Sequence, residues 1–590
     1  MDDALSENLQ DLDAAIHELE RAVAGQPALS AALFDDTREW RKLLTFKLLP
    51  QLAGKDVLVA AVAGGTNTGK STVFNLLVGA PMSPVRATAA ATCRPLLAGS
   101  PLRFEQGLTG NLVPGLRARL LAHDDDPVDR SAPPDVLFMK ACESLPDFLV
   151  LLDVPDVDSI DFINWDVAEN IQAVCDVLIA VLTGEKYQDD KVIAYFRQAA
   201  GSGRIILPLM NKADPAEDYR VARAQLADFC EAVGIESSAR FAVPHDFGLM
   251  DACDQPILPL GGAEPLRNHL EQLDVVQTKA QVYRDSLTHF CLQTEDFLAR
   301  MDGALKRFDA IEALFAHRAE AIAATYDPEP DAKVGRLLHE YIKARRGTFS
   351  RTMGNVGSAM YNQIAPVSRA VGRMIQRRLS LSSVPAPPTA SEVRAHHVRE
   401  LDNRVRDFIR ECTEMARSLE SPAREMLEGA FERLEVAEVV NAVEKTTLVD
   451  DNISEAFRKH AEKTLEAWWE DHAVRRRVLV ELDALLMFAP TAVAVPLALY
   501  TGGVGVPEVI AAAGPVAGDF FSRVMEHQFA DKWFDFIAPW HAEQQARFRD
   551  ALAAHVLDAA LAPLAEGRDA LRGDAAQTIR RIHEQCLKVS

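Results

Sequence analysis

The stretch Gly64-Gly65-Thr66-Asn67-Thr68-Gly69-Lys70-Ser71-Thr72 fits the pattern G-x-x-x-x-G-K-[ST] and follows an apolar run, Val57–Ala63. In this pattern the glycines let backbone N–H groups close around phosphate oxygens, the lysine reaches the outer phosphates, and the serine hydroxyl binds Mg²⁺. An apolar segment follows at 73–77, and a helix starting there directs its positive end at the same phosphates. A plain glycine turn is the alternative, but the flanking segments favour a phosphate-binding loop over residues 64–72.

A second motif, Asn211-Lys212-Ala213-Asp214, closes the apolar run Ile205–Met210 and has the form N-K-x-D. A carboxylate at Asp214 can accept two hydrogen bonds from the N1–H and the exocyclic amine of guanine. Adenine has no such donor pair on that edge, so a site built for guanine rejects it. Placed after a strand and downstream of the phosphate-binding loop, the motif favours GTP over ATP.

A third motif lies between these two, where the apolar run Phe148–Leu152 leads into Asp153-Val154-Pro155-Asp156. GTPases carry D-x-x-G at this place, and Asp153 is then expected to hold Mg²⁺ through water. Asp156 stands where the glycine is usual, and its carboxylate is expected to repel a γ-phosphate. Val157 replaces the glutamine that orients water in Ras-like enzymes, so slow intrinsic hydrolysis is expected.

Together with Thr92-Cys93-Arg94-Pro95, these motifs resemble those of bacterial dynamin-like GTPases, a branch of the dynamin superfamily of P-loop GTPases. The resemblance implies an α/β GTPase domain with a mostly parallel sheet flanked by helices, joined to a large all-α bundle or stalk. It also implies that Thr92 is a switch ligand of Mg²⁺, with Thr88 as an alternative. Asn67 is implied to place a monovalent cation or to bond across the phosphates; a hydrogen bond that stiffens the loop is the other interpretation.

The predicted site therefore has two parts. The nucleotide-binding residues are Gly64, Gly65, Thr66, Asn67, Thr68, Gly69, Lys70, Ser71, Thr72, Asn211, Lys212 and Asp214. The catalytic and Mg²⁺-associated residues are Lys70, Ser71, Thr92 and Asp153. Pro244-His245-Asp246, where another guanine-contacting loop is expected, matches no firm pattern.

Composition limits the class of protein. The chain has 590 residues and a formal net charge of −23, which argues against nucleic acid as a partner because such binding needs a basic face. Eight scattered cysteines without a C-x-x-C pair are typical of reduced thiols in a cytoplasmic protein. The first residues, Met1-Asp2-Asp3-Ala4, do not read as a secretory signal. A cytoplasmic protein is expected.

Outside the GTPase motifs the periodicity is helical. Residues 4–24 and 28–50 predict two amphipathic helices, and 272–325, 330–380, 391–447 and 449–482 predict long helices of a bundle or stalk. The proline-rich stretch 382–389 predicts a break. The predicted domains are N-terminal helices (1–54), a GTPase domain (55–270), a stalk (271–483), an apolar hairpin (484–518) and returning stalk helices (519–590).

Residues 484–507 carry no charge, and a second uncharged stretch follows at 509–518. Trp468, Trp469 and the arginines at 475–477 precede them and suit a lipid headgroup layer. The strongest apolar part, 485–500, is shorter than the roughly 20 residues that span a bilayer and contains two prolines. The pattern favours a membrane hairpin at the inner face, whose two short segments either enter one leaflet and return or cross the bilayer as two thin helices. A hairpin buried in a helical core is the alternative.

The expected function combines these elements. GTP and Mg²⁺ order the site, two GTPase domains meet across the nucleotides, and the helices relay the change to a membrane; this sequence of events rests on the resemblance. Lys186-Tyr187 with Asp189-Asp190 are hypothesised to join a nucleotide-dependent interface. Two alternatives remain: an Era-like regulatory GTPase that binds a ribosome or protein partner, and a scaffold that GTP stabilises with little hydrolysis.

Overall fold

Within the part of the chain that the structure describes, nine strands form one sheet. They are β1 (Leu58–Gly64), β2 (Leu96–Gly99), β3 (Arg117–Leu120), β4 (Val136–Ala141), β5 (Leu149–Asp153), β6 (Val177–Leu182), β7 (Ile205–Ala213), β8 (Phe241–Pro244) and β9 (Leu258–Pro259). Their order is β3-β4-β2-β5-β1-β6-β7-β8-β9. All neighbours pair in parallel except β2 with β5 and β8 with β9. The predicted mostly parallel α/β fold is thus confirmed.

The computed structural model describes residues 3–51, 56–85, 94–105, 113, 115–123, 126–128, 133–158, 162–236, 239–245, 253, 255, 257–260, 264–328, 334, 337, 341, 390–448, 453–471 and 533–588. The apolar hairpin predicted at 484–518, the helix predicted at 330–380 apart from three isolated positions, and the proline-rich stretch 382–389 lie outside these residues. Among the residues described, no helix is both long and apolar enough to cross a bilayer.

The helices in the first half of the chain flank the sheet or precede it. They are α1 (Asp3–Val23), α2 (Pro27–Phe34), α3 (Arg38–Leu43), α4 (Leu49–Gln51), α5 (Lys70–Val78), α6 (Pro101–Glu105), α7 (Phe162–Val174), α8 (Asp190–Gly201), α9 (Ala216–Val233) and α10 (Leu266–Glu271). A π-helical turn at Leu44–Leu48 joins α3 to α4. The single helix predicted at 28–50 is therefore wrong: a 3₁₀ turn follows Phe34, where the buried Thr37 hydroxyl donates to the Phe34 carbonyl at 2.7 Å.

Burial on both faces explains why the central strands read as continuous apolar runs. Along β1, Leu58, Ala60 and Val62 face one apolar core. Val59 and Ala61 face the other, as the two-residue period of a strand requires. Helices α7, α8 and α9 cover the second core with buried side chains, and α5 and α10 cover the first.

The remaining helices follow the sheet along the chain. They are α11 (Val275–Ala324), α12 (Ala390–Arg417), α13 (Ala423–Met426), α14 (Val436–Thr447), α15 (Glu455–Asp471), α16 (Trp533–Leu552), α17 (Asp558–Ala560), α18 (Ala562–Arg572) and α19 (Asp574–Cys586). This confirms a large helical C-terminal region. The continuous helix predicted at 391–447 is wrong, because the chain turns after Arg417 and Pro422 starts a new short helix.

The chain forms two compact units. The first contains residues 1–306 and 567–590, and the second contains residues 307–566. In the first unit α1 packs along α19, and the buried Trp40 of α3 lies against Phe290 and Phe297 of α11 with ring centroids 5.5 and 5.6 Å apart. The five-part division given above stays a prediction.

The second unit is a helical bundle. Helix α14 packs against α12 and α16, and α15 packs against α16. Phe315 stacks on Phe431 with ring centroids 5.2 Å apart, and Tyr326 lies against Phe548 at 5.1 Å. The Arg318 guanidinium pairs with the Glu411 carboxylate. Apolar contacts between helices and ion pairs such as this one hold the unit together.

A buried polar cluster lies at the amino end of β6, the end opposite the phosphate-binding loop. The Asp176 carboxylate is fully buried, accepts the Val59 backbone N–H at 2.9 Å and pairs with the Lys47 ammonium. Lys279 of α11 reaches the same carboxylate at 3.2 Å. Lys47 also donates to two backbone carbonyls at 3.0 Å, those of Val174 and Cys175. This cluster, Lys47–Asp176–Lys279, ties the N-terminal helices, the sheet and α11 together.

Candidate nucleotide-binding site

The motifs singled out in the sequence converge on one edge of the sheet. Strands β1, β5, β6 and β7 are parallel, so the loops that follow them leave the same edge. In open α/β sheets ligands bind beyond the carboxyl ends of the strands. Residues 64–72, 153–158, 183–189 and 211–214 therefore surround a common position.

The phosphate-binding loop has the conformation that its glycines permit. Gly64 ends β1, and a methyl group there would collide with the Val181 carbonyl of β6. Asn67 has φ +62° and Gly69 has φ +84°, both in the left-handed region. A side chain at Gly69 would also strike the Asn211 amide. The Thr68 hydroxyl donates to the Gly65 carbonyl at 2.9 Å and closes the loop.

Helix α5 begins at Lys70, directly after Gly69, with no side chain capping its first turn. The first N–H groups of a helix point back toward the preceding loop and favour an anion. Ser71 and Thr72 lie in the turn and are half-buried. The loop and the helix start together thus have the geometry of an anion-binding site.

Lys70 is buried and has two partners. Its ammonium donates to the Gly65 carbonyl at 3.0 Å and pairs with the Asp156 carboxylate. Asp156 is also buried, with 7 % of its surface exposed. Asp156, which stands in place of the glycine of D-x-x-G, therefore contacts Lys70, the lysine that the motif at 64–72 assigns to the phosphates.

Ser71 and Asp153 lie together as a Mg²⁺ site requires. The Ser71 hydroxyl donates to Asp153 Oδ2 at 2.8 Å, and the Ser83 hydroxyl donates to the same oxygen at 2.6 Å. Asp153 Oδ1 is buried and has no hydrogen-bond partner among the residues described. A hydroxyl beside a carboxylate with a spare oxygen is a hard-oxygen donor set, which Mg²⁺ prefers. These residues fit the ion.

Burial raises the pKa of Asp153, and the nearby Asp156 carboxylate adds to the rise. Hydrogen bonds from Ser83 and Ser71 and the charge of Lys70 act in the opposite direction. The ionised form is thus costly in the protein alone, and a divalent cation would stabilise it.

Asn211 joins the base-recognition motif to the phosphate-binding loop. Its amide Nδ2 donates to the Thr68 carbonyl at 2.8 Å across 143 positions of sequence, and its Oδ1 accepts the Lys212 backbone N–H at 2.9 Å. Lys212 has φ +56° and is exposed. Asp214 is exposed too, and one of its oxygens accepts the Ala216 N–H at 2.9 Å, which orients the carboxylate at the start of α9.

A second carboxylate, Asp158, holds the loop from another side. Its Oδ1 accepts both the backbone N–H and the hydroxyl of Thr66 at 2.7 Å. Its Oδ2 accepts from Lys186 at 2.9 Å, and Lys186 also pairs with Asp189 at 2.9 Å. Lys186 was singled out as an interface residue; in the structure it contacts carboxylates within the site.

Some predicted positions cannot be placed. Thr92 and its alternative Thr88 lie outside the residues described, as does Asp246. Arg94, two residues on, is buried: its backbone N–H donates to the Pro127 carbonyl at 3.0 Å and its guanidinium to the Pro133 carbonyl at 2.9 Å. Asn67 is exposed at the tip of the loop. The role of Thr92 stays a prediction.

Sequence reasoning missed three residues of the site: Asn75, Ser83 and Asp158. Asn75 of α5 accepts the Ser83 N–H at 2.8 Å and donates to its carbonyl at 2.8 Å, which places the Ser83 hydroxyl beside Asp153. None of the three belongs to a contiguous nucleotide-binding pattern.

No protein-family model and no curated protein matches the chain. Similar solved structures include two of an oligomerised bacterial dynamin pair, described as providing a mechanism for the long-range sensing and tethering of membranes. The first is 11% identical over 96% of this chain and 94% of its own, with a TM-score of 0.36. The second is 12% identical over 92% and 91%, also with a TM-score of 0.36.

A third similar structure is LeoA, a bacterial dynamin GTPase from ETEC. It is 12% identical over 99% of this chain and 97% of its own, with a TM-score of 0.23. Each of the three alignments spans more than nine tenths of both chains. Similarities this distant assign this chain no substrate or partner.

Proposed function

We propose that the chain is a dynamin-like GTPase that binds GTP with Mg²⁺, hydrolyses it slowly as a monomer, self-associates through its GTPase domain and acts at the cytoplasmic face of a membrane. The observation that carries the nucleotide part is the hydrogen bond from Asn211 to the Thr68 carbonyl. It supports a single site in which the phosphate-binding loop and the N-K-x-D motif act on one ligand.

Different residues are proposed to bind the phosphates, the guanine base and Mg²⁺. Backbone N–H groups of the loop and the Lys70 ammonium are proposed to bind the phosphates, and the exposed Asp214 carboxylate to accept the guanine N1–H and amine. Ser71 and Asp153 would hold Mg²⁺, with Thr92 as a further ligand. The ion, when bound, neutralises charge on the phosphate oxygens. A monovalent cation near Asn67 stays part of the proposal.

The slow rate follows from what surrounds the loop. Val157, where Ras-like enzymes carry the water-orienting glutamine, is fully buried and apolar. A second GTPase domain could supply the missing group across the nucleotide. Self-association and membrane binding rest on the resemblance and on the two uncharged stretches 484–507 and 509–518.

Nucleotide binding by the unchanged full chain and by two variants, Lys70→Ala and Asp214→Asn, tests the site. Lys70→Ala should lose GTP binding because the phosphates lose their buried cation. Asp214→Asn should shift preference from GTP toward xanthosine triphosphate, since the new amide donates where the carboxylate accepted. Equilibrium binding of fluorescent GTP, ATP and xanthosine triphosphate gives both answers.

Lys42→Ala is a matched control, because Lys42 pairs with Asp166 and Glu169 beside α7. Its nucleotide affinity should equal that of the unchanged chain. Normal GTP affinity in Lys70→Ala would refute the phosphate site, and unchanged base preference in Asp214→Asn would refute the guanine assignment.

The contact between Lys70 and Asp156 favours a second candidate function, a scaffold that GTP stabilises with little turnover. A buried carboxylate on the phosphate lysine opposes the arrangement that hydrolysis needs. Long retention of GTP without release of phosphate at any protein concentration would select this candidate.

A further inference from the structure

We infer that Asp156 competes with the terminal phosphate of a nucleoside triphosphate for the Lys70 ammonium, and so sets the preference of the site between tri- and diphosphate. The inference rests on the proposed nucleotide function. It starts from the buried ion pair between these two residues.

The Lys70 ammonium pairs with Asp156 at the position where it is expected to bind a phosphate. Gly65, whose carbonyl accepts from the same ammonium at 3.0 Å, belongs to the phosphate-binding loop. Lys70 is 5 % exposed and therefore has little room to turn elsewhere. A terminal phosphate that reaches this ammonium must share it with Asp156 or displace the carboxylate.

The backbone around Asp156 resists displacement. The Val154 N–H donates to the Val62 carbonyl and the Val157 N–H to the Gly64 carbonyl, both at 3.3 Å. Asp158, two residues on, is anchored to Thr66 by two hydrogen bonds at 2.7 Å. The segment that carries Asp156 is thus tied to β1 and to the loop on both sides of the carboxylate.

Charge makes the competition stronger for triphosphates. A carboxylate that loses its buried counter-ion is strongly destabilised, and a phosphate placed beside it adds repulsion. A diphosphate brings one phosphate to this ammonium where a triphosphate brings two, so its binding disturbs the ion pair less. A glycine at position 156, as in the usual D-x-x-G motif, would impose neither penalty.

Asp156→Asn in the full chain tests the inference, because it keeps the size of the side chain and removes its charge. The probes are a non-hydrolysable GTP analogue and GDP, each with Mg²⁺, measured by equilibrium titration. The ratio of analogue affinity to GDP affinity should rise by about tenfold or more, mainly through the analogue. Asp156→Gly should change the ratio in the same direction.

Asp190→Asn is the control, since it removes one carboxylate from the first turn of α8 without touching Lys70. Its ratio should stay at that of the unchanged chain. An unchanged ratio in Asp156→Asn, with Lys70→Ala still abolishing binding, would overturn the inference alone. An equal loss for both nucleotides with a lower melting temperature would also overturn it, because it would assign Asp156 a structural role. If Lys70→Ala binds normally, the proposed function itself fails.

Discussion

At the scale of single residues, Asp153 has the most constrained environment in the site. Two serine hydroxyls converge on one of its oxygens, and the other oxygen is buried without a partner among the residues described. Burial raises the pKa of this carboxyl. Protons and Mg²⁺ should therefore compete for it at a higher pH than at an exposed aspartate.

Mg²⁺-supported GTP binding should weaken on acidification through this competition. Because the folded-state pKa lies above the ordinary value, the carboxylate is lost as pH falls through that raised pKa, and with it the ligand for the ion. Titrations of GTP affinity with and without Mg²⁺, between about pH 4 and pH 8, measure the effect. Asp153→Asn should bind weakly with little pH dependence. A midpoint at the pKa of an ordinary exposed aspartate would contradict the prediction.

The raised pKa of Asp153 also determines how the stability of the folded protein depends on pH. A carboxyl whose pKa is raised in the folded state holds a proton that the unfolded state releases, so its contribution to stability is present at low pH. That contribution is lost as pH rises through the folded pKa. Mg²⁺ should offset the loss by binding the ionised form.

At the scale of elements, the cluster Lys47–Asp176–Lys279 holds β6 against two sets of helices. Burial lowers the pKa of Lys47 to about 8, and the charge of Asp176 opposes this. Lys47 and Lys279 both pair with the Asp176 carboxylate, so this carboxylate neutralises the charge of two buried cations. The stability of the sheet's amino edge should depend on it.

Asp176→Asn should lower the free energy of unfolding of the first unit by about 3–5 kcal/mol, because it leaves buried cations without a counter-ion. Urea unfolding followed by tryptophan fluorescence measures this, since Trp40 is buried in the same unit. Asp135→Asn removes an exposed partner of Arg117 and should leave the unfolding curve unchanged. Equal curves for the two variants would refute the assigned role.

The elements also show what sequence could and could not predict. The apolar run Val57–Ala63 locates β1 to within one residue at each end because that strand is buried on both faces. The break after Phe34 escaped prediction because a single hydroxyl contact accompanies it, while the apolar spacing continues. Contiguous motifs locate Lys70 and Asn211. Ser83 reaches Asp153 across 70 positions, a contact that only the folded chain creates.

At the scale of the whole molecule, the sheet and the helical bundle belong to different compact units. Helix α11, 50 residues long, carries the chain from the first unit into the second. The segment proposed to contact lipid, 484–518, belongs to the residue range of the second unit.

GTP turnover per molecule should rise with protein concentration and rise again with anionic liposomes, if assembly supplies the group that Val157 cannot. Phosphate release by the full chain measures the rate, and Lys70→Ala should give none. Deletion of 484–518 should abolish the liposome effect while leaving GTP binding intact. A low rate indifferent to concentration and lipid would point instead to a partner-activated switch or a scaffold.

The packing of α1 against α19 sets an order of events during biosynthesis. The leucines and isoleucine of α1 are buried in the folded first unit, and α19 is one of the helices packed on α1. The ribosome makes α1 first and α19 more than 500 residues later. Until then the part of the α1 surface that α19 covers stays exposed, although α2 and α4 also pack on α1, so the first unit is completed only after the rest of the chain has been synthesised.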